Sequence, residues 1–222
     1  MRVNKGIKTA DLYDCRVAYL RELFAACAYP WELLPHIGEW IQTVTAAEVE
    51  GFTEISPSVW VGREVRIAPT ATVEGPAILG HGTELRPGAY LRGNVITGEG
   101  CVLGNSSEFK NCILLDGAQA PHYNYVGDSV LGNKAHLGAG AVCSNLKADG
   151  KAVVIHGERD YPTELRKVGA FLADGADIGC GCVLNPGTVV GRRTSVYPLT
   201  ALRGVYPPDR IVKSASVSVW RE

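Results

Sequence analysis

The sequence predicts a mainly β chain: a solenoid of hexapeptide coils preceded by a short helical segment. Three observations carry this. Single aliphatic residues recur every six positions, at Ile55, Val61, Ile67, Val73, Leu79, Leu85, Leu91, Leu103 and Phe109, with only Thr97 breaking the run. The step returns at Leu172, Ile178, Leu184, Val190, Val196 and Leu202. Two positions before most rungs stands a small or β-branched residue, as at Ala71, Thr83, Ala89, Val95, Cys101, Cys182 and Thr188. The composition agrees, because 26 glycines, one Met and four Phe suit tight repeated corners better than a bulky helical core. A period of six fits neither a helix nor an alternating strand. It fits a solenoid in which each hexapeptide forms one short side of a coil.

Residues 1–52 read as a helical N-terminal segment. Tyr13, Val17, Leu20, Phe24 and Cys27 recur at helical spacing, with Asp11 as a cap, and Tyr29-Pro30-Trp31 ends that helix. A second short helix carries Ile37, Trp40, Ile41 and Val44. Such a pair is expected to cover the open end of a solenoid, whose bare backbone edge invites pairing. The alternative is a docking arm.

Residues 53–205 read as the β-helix. Three hexads make one coil, so residues about 18 apart stack on the same face. Between 110 and 145 the spacing stumbles. The register Phe109, Leu114, Ala120, Val126, Leu131, Leu137, Cys143 needs two steps of five. Irregular polar corners in a regular solenoid are where a ligand is expected. From about 145 to 168 the period disappears. That stretch reads as an ejected loop, either reaching a neighbouring subunit or making a plain surface excursion. Tyr206-Pro207-Pro208 opens a C-terminal tail, 206–222.

Composition excludes several classes. The net charge of −1 argues against nucleic acid or membrane as partner. No run of about 18 apolar residues offers a membrane span. The N-terminal residues lack an apolar signal core, so a cytoplasmic protein is expected. The seven cysteines form no disulfide framework. Cys101, Cys143 and Cys182 take small inward positions, as compact hydrophobes do. No metal is expected: Cys180-x-Cys182 lacks a second pair, and His81, His122 and His136 lack the spacing of a three-histidine site.

Cations interrupt the positions that follow the rungs, which are otherwise often glycine. They are Arg86, Arg92 and Lys110. Arg92 and Lys110 should project side by side from adjacent coils, an arrangement that an anion such as phosphate relieves. The alternatives are two solvated cations, or a pairing with Glu74 on the same column. His122 and Tyr125 lie in the irregular stretch. An imidazole, with an ordinary pKa of about 6.5, is a candidate general base, or else a structural hydrogen bond. His136 carries the same ambiguity. Asn145 and Lys151 flank a turn and are candidate contacts to a sugar or phosphate.

Taken together, Arg86-Pro87-Gly88, the SEFKN run at Ser107 to Asn111, HYNYVGDS, LGAG and SNLKADGK resemble one family. It is the acetyltransferase half of the bifunctional N-acetylglucosamine-1-phosphate uridylyltransferase/glucosamine-1-phosphate acetyltransferases, over residues of about 70 to 205. The resemblance implies a left-handed parallel β-helix that forms a homotrimer with active sites between subunits. It also implies acetyl-CoA as acyl donor and an amino sugar 1-phosphate as acceptor. By position, His122 matches the base and Asn145 a support for the attacking amine. Lys110, Tyr125 and Lys151 match sugar-phosphate ligands. His136 stands where the family has an asparagine that touches the sugar. Ala139 matches a backbone contact to the thioester, and Cys180 stands where a CoA-contacting serine is expected. The arginine partner is Arg92 by stacking and Arg86 by motif. Leu146 replaces a tyrosine. Residues 1–50 are too short for a nucleotide-binding α/β domain and lack its Gly-rich loop, so uridylyl transfer by this chain is not expected. The competing reading is a non-catalytic sugar-phosphate or nucleotide-sugar binding subunit of a nucleotidyltransferase system.

Overall fold

The computed structural model describes residues 6–47, 50–214 and 217–220. Residues 1–5 and 221–222, at the ends of the expected helical segment and tail, lie outside the described residues. The chain is mainly β, a parallel solenoid with a helical N-terminal region, in agreement with the hexapeptide reading. Each coil has three short strands. The first face stacks Val59–Val61, Ala77–Leu79, Val95–Thr97, the second half of Glu108–Leu114, the second half of Tyr125–Leu131, Ala170–Leu172 and Thr188–Val190. The second face runs from Arg66–Ile67 through Val102–Asn105, Gln119–His122 and His136–Leu137 to Arg210–Ser214. The third face runs from Thr72–Glu74 through Tyr90–Arg92 and the first halves of the two long strands to Ala201–Leu202.

The rungs point inward. Leu79, Leu91, Leu103, Phe109, Leu114, Val126, Leu131, Leu172 and Leu184 are all fully buried, together with the small residues that precede them. Each contributes roughly 1.5–3 kcal/mol before entropy is charged. Thr97 does not break this core. Its hydroxyl accepts the Gly80 N–H at 2.9 Å and lies 3.3 Å from the Thr83 hydroxyl, so an inward polar rung is satisfied within the coil. Ile55 is not a rung: Thr53–Ser56 runs antiparallel to Val59–Val61, and Ile55 is exposed. At the other end the stacking passes the expected boundary at 205, because Arg210–Ser214 continues the second face and then pairs antiparallel with Val217–Trp220.

The N-terminal region lies elsewhere than expected. It covers the first face from the side instead of the open end. The outward residues of that face are apolar in coil after coil: Ile78, Ile96, Ile113, Val130, Phe171 and Val189. They are buried against Tyr13, Val17, Leu20, Trp31, Leu34, Ile37 and Ile41. The continuous first helix is also absent. The chain forms a short helix at Thr9–Leu12 and leaves it at Tyr13, whose backbone is extended and whose hydroxyl donates to the Val130 carbonyl, and a 3-10 turn at Ala18–Leu20 then leads into the helix Arg21–Ala26. The second expected helix is present as Ile37–Ala46. Gly38 allows it to approach the solenoid corner, where a Cβ would stand 2.7 Å from the Asn94 side chain. No helix of the described residues is long and apolar enough to cross a membrane.

The ejected stretch does not extend outward as an arm. It makes an antiparallel hairpin, Val154–His156 with Asp160–Pro162, that folds back on the same side. Val153, Ile155 and Val168 join the apolar layer under the helical region, and Tyr161 packs near Tyr29 and Trp31. The register across this excursion is intact, since Val126 pairs with Cys143 and Cys143 with Leu184.

Candidate functional site

The two steps of five have a visible cause. At the corner between the third and first faces, Asn111 and Asp128 turn the chain alone, with φ of 47° and 48°. A left-handed residue closes this corner in one position fewer, and Asn and Asp tolerate that conformation better than most side chains. The two long strands, Glu108–Leu114 and Tyr125–Leu131, therefore run through the corner and stay in register, Phe109 with Val126 and Leu114 with Leu131.

His122 stands at the corner between the second and third faces. Backbone bonds stack this corner in a column: the Tyr123 N–H donates to Asn105 O (2.8 Å), Gly140 N–H to His122 O (3.0 Å), Gly181 N–H to Ala139 O (2.8 Å) and Leu199 N–H to Cys180 O (2.9 Å). Asn105, His122, Ala139 and Cys180 thus follow one another on consecutive coils. His122, Ala139 and Cys180 are all exposed. The corner is held by buried Asn124, whose side chain accepts the His122 N–H at 3.0 Å and donates to Gly138 O at 2.8 Å.

The third face continues from this corner as a polar wall. Its outward positions form two columns, Tyr90, Glu108 and Tyr125 in one, and Glu74, Arg92, Lys110 and Gly127 in the other. Arg92 and Lys110 are neighbours on adjacent coils, as the spacing predicts. Each already has a carboxylate. Arg92 Nη2 is 3.1 Å from Glu108 Oε1, and Lys110 Nζ is 3.6 Å from Asp128 Oδ2. Glu74, the alternative partner in the sequence reading, is instead taken by the Tyr90 hydroxyl at 3.0 Å.

Asn145 joins this wall from the next coil. Its Nδ2 donates to Asp128 Oδ2 at 2.6 Å and to the Tyr125 hydroxyl at 3.1 Å. Burial raises the Tyr125 phenol above its ordinary range, opposed by the Asn145 bond, so it stays protonated. Gly127 makes the room, because a Cβ there would stand 2.5 Å from the Tyr125 hydroxyl and 2.8 Å from Asn145 Nδ2.

Three candidate residues lie apart from this group. Arg86 pairs with Glu84 at 3.5 Å and precedes Pro87, which stacks below Asn105 two coils beneath His122. His136 is on the second face, with Nδ1 2.9 Å from Asp177 Oδ1. Lys151 is exposed in the turn that follows Asn145, where its N–H donates to Asp149. That bond, with help from Lys147, lowers the Asp149 carboxyl. The turn borders an open cavity of about 500 Å³ lined by Ser144, Lys147, His156, Asn185 and Arg203.

Two residues escaped the sequence reading. Asp128 lies in the irregular stretch between Val126 and Leu131 and is not among the candidates there, yet it is the acceptor that ties Asn111, Asn145 and Lys110 together. Tyr123, next to His122, is 65% exposed and has φ of 52°, a conformation costly for an aromatic residue. Its signal is positional, since the equivalent corner residues on the neighbouring coils are Ser106 and Gly140.

The family model described as the GMPPB C-terminal domain matches residues 73–160, which include all the wall residues, His122 and Ala139. A bifunctional protein GlmU of Methanococcus aeolicus is 31% identical over 180 residues, spanning 73% of this chain and 40% of that protein. The chain carries a GlmU-like domain. A second GlmU, of Methanococcus vannielii, is 29% identical over 198 residues, spanning 87% of this chain and 47% of that protein. A bifunctional sugar-1-phosphate nucleotidylyltransferase/acetyltransferase of Sulfurisphaera tokodaii is 31% identical over 176 residues, spanning 76% and 43%. The chain thus spans less than half the length of these relatives. The GlmU-like match supports the resemblance read from the sequence motifs.

Proposed function

We propose that this chain is a CoA-dependent acyltransferase that moves the acetyl group of acetyl-CoA to a sugar phosphate, specifically an amino sugar 1-phosphate, in nucleotide-sugar or cell-envelope precursor synthesis. One observation carries the reading. The exposed column His122, Ala139, Cys180 adjoins a wall that presents Arg92, Lys110, Tyr125 and Asn145. The relatives' names, which join sugar-1-phosphate nucleotidylyl transfer to acetyl transfer, support it.

In this reading the sugar phosphate lies against Lys110 and Arg92, and its amine is held at Asn145. The acetyl thioester runs along the corner past Ala139 and Cys180. His122 takes a proton from the amine as the nitrogen attacks the thioester carbonyl. A C–N bond forms, the C–S bond breaks, and the thiolate of CoA leaves and is protonated. Most of the rate enhancement comes from holding two substrates together. The base adds about 10²–10⁴. Arg86, His136 and Lys151 serve this reading only if they approach a ligand that spans more than one coil or subunit. The reading also includes a homotrimer with sites between subunits and a cytoplasmic location, with no nucleic acid as partner. The bare corner supports the trimer, with Leu199 84% and Tyr197 49% exposed above Cys180.

A second reading, the non-catalytic sugar-phosphate or nucleotide-sugar binding subunit, is favoured by one observation. The His122 imidazole has no hydrogen-bond partner among the described residues to orient it as a base, whereas Lys110, Tyr125 and Asn145 are all held. Thiol release from acetyl-CoA across a panel of amino and hydroxy sugar phosphates separates the two. Release with an amino sugar phosphate supports the enzyme. Sugar-phosphate binding without release with any member of the panel supports the binding subunit.

A further inference from the structure

Asp128 is 4% exposed, and its carboxylate meets only donors. Its Oδ1 accepts Asn111 Nδ2 at 2.9 Å. Its Oδ2 accepts Asn145 Nδ2 at 2.6 Å and lies 3.6 Å from Lys110 Nζ. Asn111 Nδ2 also donates to the Leu34 carbonyl at 3.3 Å, so the carboxylate is anchored from behind by the N-terminal region.

This accounting fixes a direction at the site. A side-chain amide has a donor end and an acceptor end of nearly equal size, and only its partners decide which faces which way. Were Asn145 turned over, its carbonyl oxygen would face Asp128 Oδ2 at hydrogen-bond distance, acceptor against acceptor in a buried place. The nitrogen therefore faces inward, and both its hydrogens are used, the second on the Tyr125 hydroxyl. Two consequences follow. The side-chain oxygen of Asn145, Oδ1, is left directed away from Asp128, with no hydrogen bond among the described residues. The Tyr125 hydroxyl, having accepted, keeps its own hydrogen to give. The wall then offers the Lys110 ammonium and the Tyr125 O–H as donors and the Asn145 oxygen as acceptor.

We propose that Asp128 is a positioning residue: by fixing the orientation of Asn145 it makes this wall select a sugar phosphate that offers a hydrogen-bond donor, amine or hydroxyl, close to its phosphate. The proposal rests on the acyl-transfer reading for its catalytic consequence, and on the hydrogen-bond geometry alone for the orientation of Asn145.

The test has two arms on the full chain. In the first, thiol release with glucosamine 1-phosphate is followed for the parent, Asp128→Asn, Asn145→Ala and the double variant. Asp128→Asn is expected to lower kcat roughly tenfold to a hundredfold, the range for losing a buried hydrogen-bond partner. In the Asn145→Ala background the same change should cost less than about threefold, because its target is gone. A role confined to stability would cost the same in both backgrounds, and that result, or a kcat unchanged by Asp128→Asn, overturns the proposal. The second arm needs no turnover. The side-chain amide signals of Asn145 in the 15N–1H spectrum, assigned by their loss in Asn145→Ala, should be slow to exchange in the parent and fast in Asp128→Asn. Unchanged amide exchange overturns the proposal. Absence of turnover in the parent, with the amide arm as expected, overturns the acyl-transfer reading instead and leaves Asp128 as the residue that orients a binding wall.

Discussion

Ala139 lies one coil above His122 at the same corner, with the Gly140 N–H donating to the His122 carbonyl at 3.0 Å. A candidate base and a candidate thioester contact, distant in the family motifs, are thereby neighbours through one backbone bond. Cys180 continues the column, with the Gly181 N–H donating to the Ala139 carbonyl at 2.8 Å.

Cys180 is the exposed cysteine of the chain, whereas Cys27, Cys101, Cys112, Cys143 and Cys182 are buried and Cys15 is partly covered. Iodoacetamide at neutral pH should therefore label Cys180 first. If the column carries CoA, saturating acetyl-CoA should slow that labelling at least about tenfold, as mass spectrometry of the peptide would report. Labelling of Cys180 that is indifferent to acetyl-CoA would remove it from the donor path.

Lys110 and Arg92 differ in how freely they can meet a phosphate. Lys110 is three-quarters covered and fixed near Asp128, and Arg92 is more exposed and engaged by Glu108. Lys110→Ala should raise the KM or Kd for the sugar phosphate roughly tenfold to a hundredfold, the range for a charged hydrogen bond. Arg92→Ala should raise it less, and Glu108→Gln should lower it by releasing Arg92. Unchanged sugar-phosphate affinity in both alanine variants would contradict a phosphate clamp on this face.

Thr97 tests the core. Its hydroxyl is the acceptor for the Gly80 N–H. Thr97→Val keeps the shape and leaves that buried N–H unpaired, which should cost about 1–3 kcal/mol in urea unfolding. A neutral or stabilising Thr97→Val would show that the apolar rung is preferred there.

Alkaline pH tests the buried thiols. Burial pushes the thiols of Cys101 and Cys143 up to about 12, and backbone or hydroxyl donors nearby offset this only in part. An unfolded thiol ionises at about 8.5. Because the folded value is the higher one, this contribution is complete below pH of about 8.5. It declines as pH rises from there through about 12. The slope is on the order of 1.4 kcal/mol per pH unit for each thiol. Urea midpoints at pH 7.5, 9 and 10.5 should fall in that order, and Cys143→Ala should show a shallower decline.

How much of this was legible in the sequence depends on which side of the strand a residue faces. The inward rungs were legible because a period of six leaves few other solutions. The outward residues of the first face carry an equally regular signal, Trp60, Ile78, Ile96, Ile113 and Val130 at steps of about one coil, then Phe171 and Val189 beyond the excursion. An apolar outward column means a covered face. Counting the rungs alone passed over it, and the helical region was therefore expected at the end of the solenoid instead of on its side.

At the site, the steps of five located the irregular corner, but not its cause, the left-handed Asn111 and Asp128. Stacking correctly made Arg92 a neighbour of Lys110. The ion pairing could not be read, because Tyr90 takes Glu74 and leaves Glu108 for Arg92. Asp128 stayed hidden for a similar reason: Asn111 and Asn145 lie 17 residues away on either side, so their bonds exist only once the coils are stacked.

The most direct test of the central claim is thiol release from acetyl-CoA with an amino sugar 1-phosphate, measured for the parent and for His122→Ala. Acyl transfer at this corner predicts turnover in the parent and a fall in kcat of about 10²–10⁴ in the variant, with sugar-phosphate affinity little changed. Turnover that survives His122→Ala undiminished, or a parent that binds the sugar phosphate and releases no thiol, would contradict it.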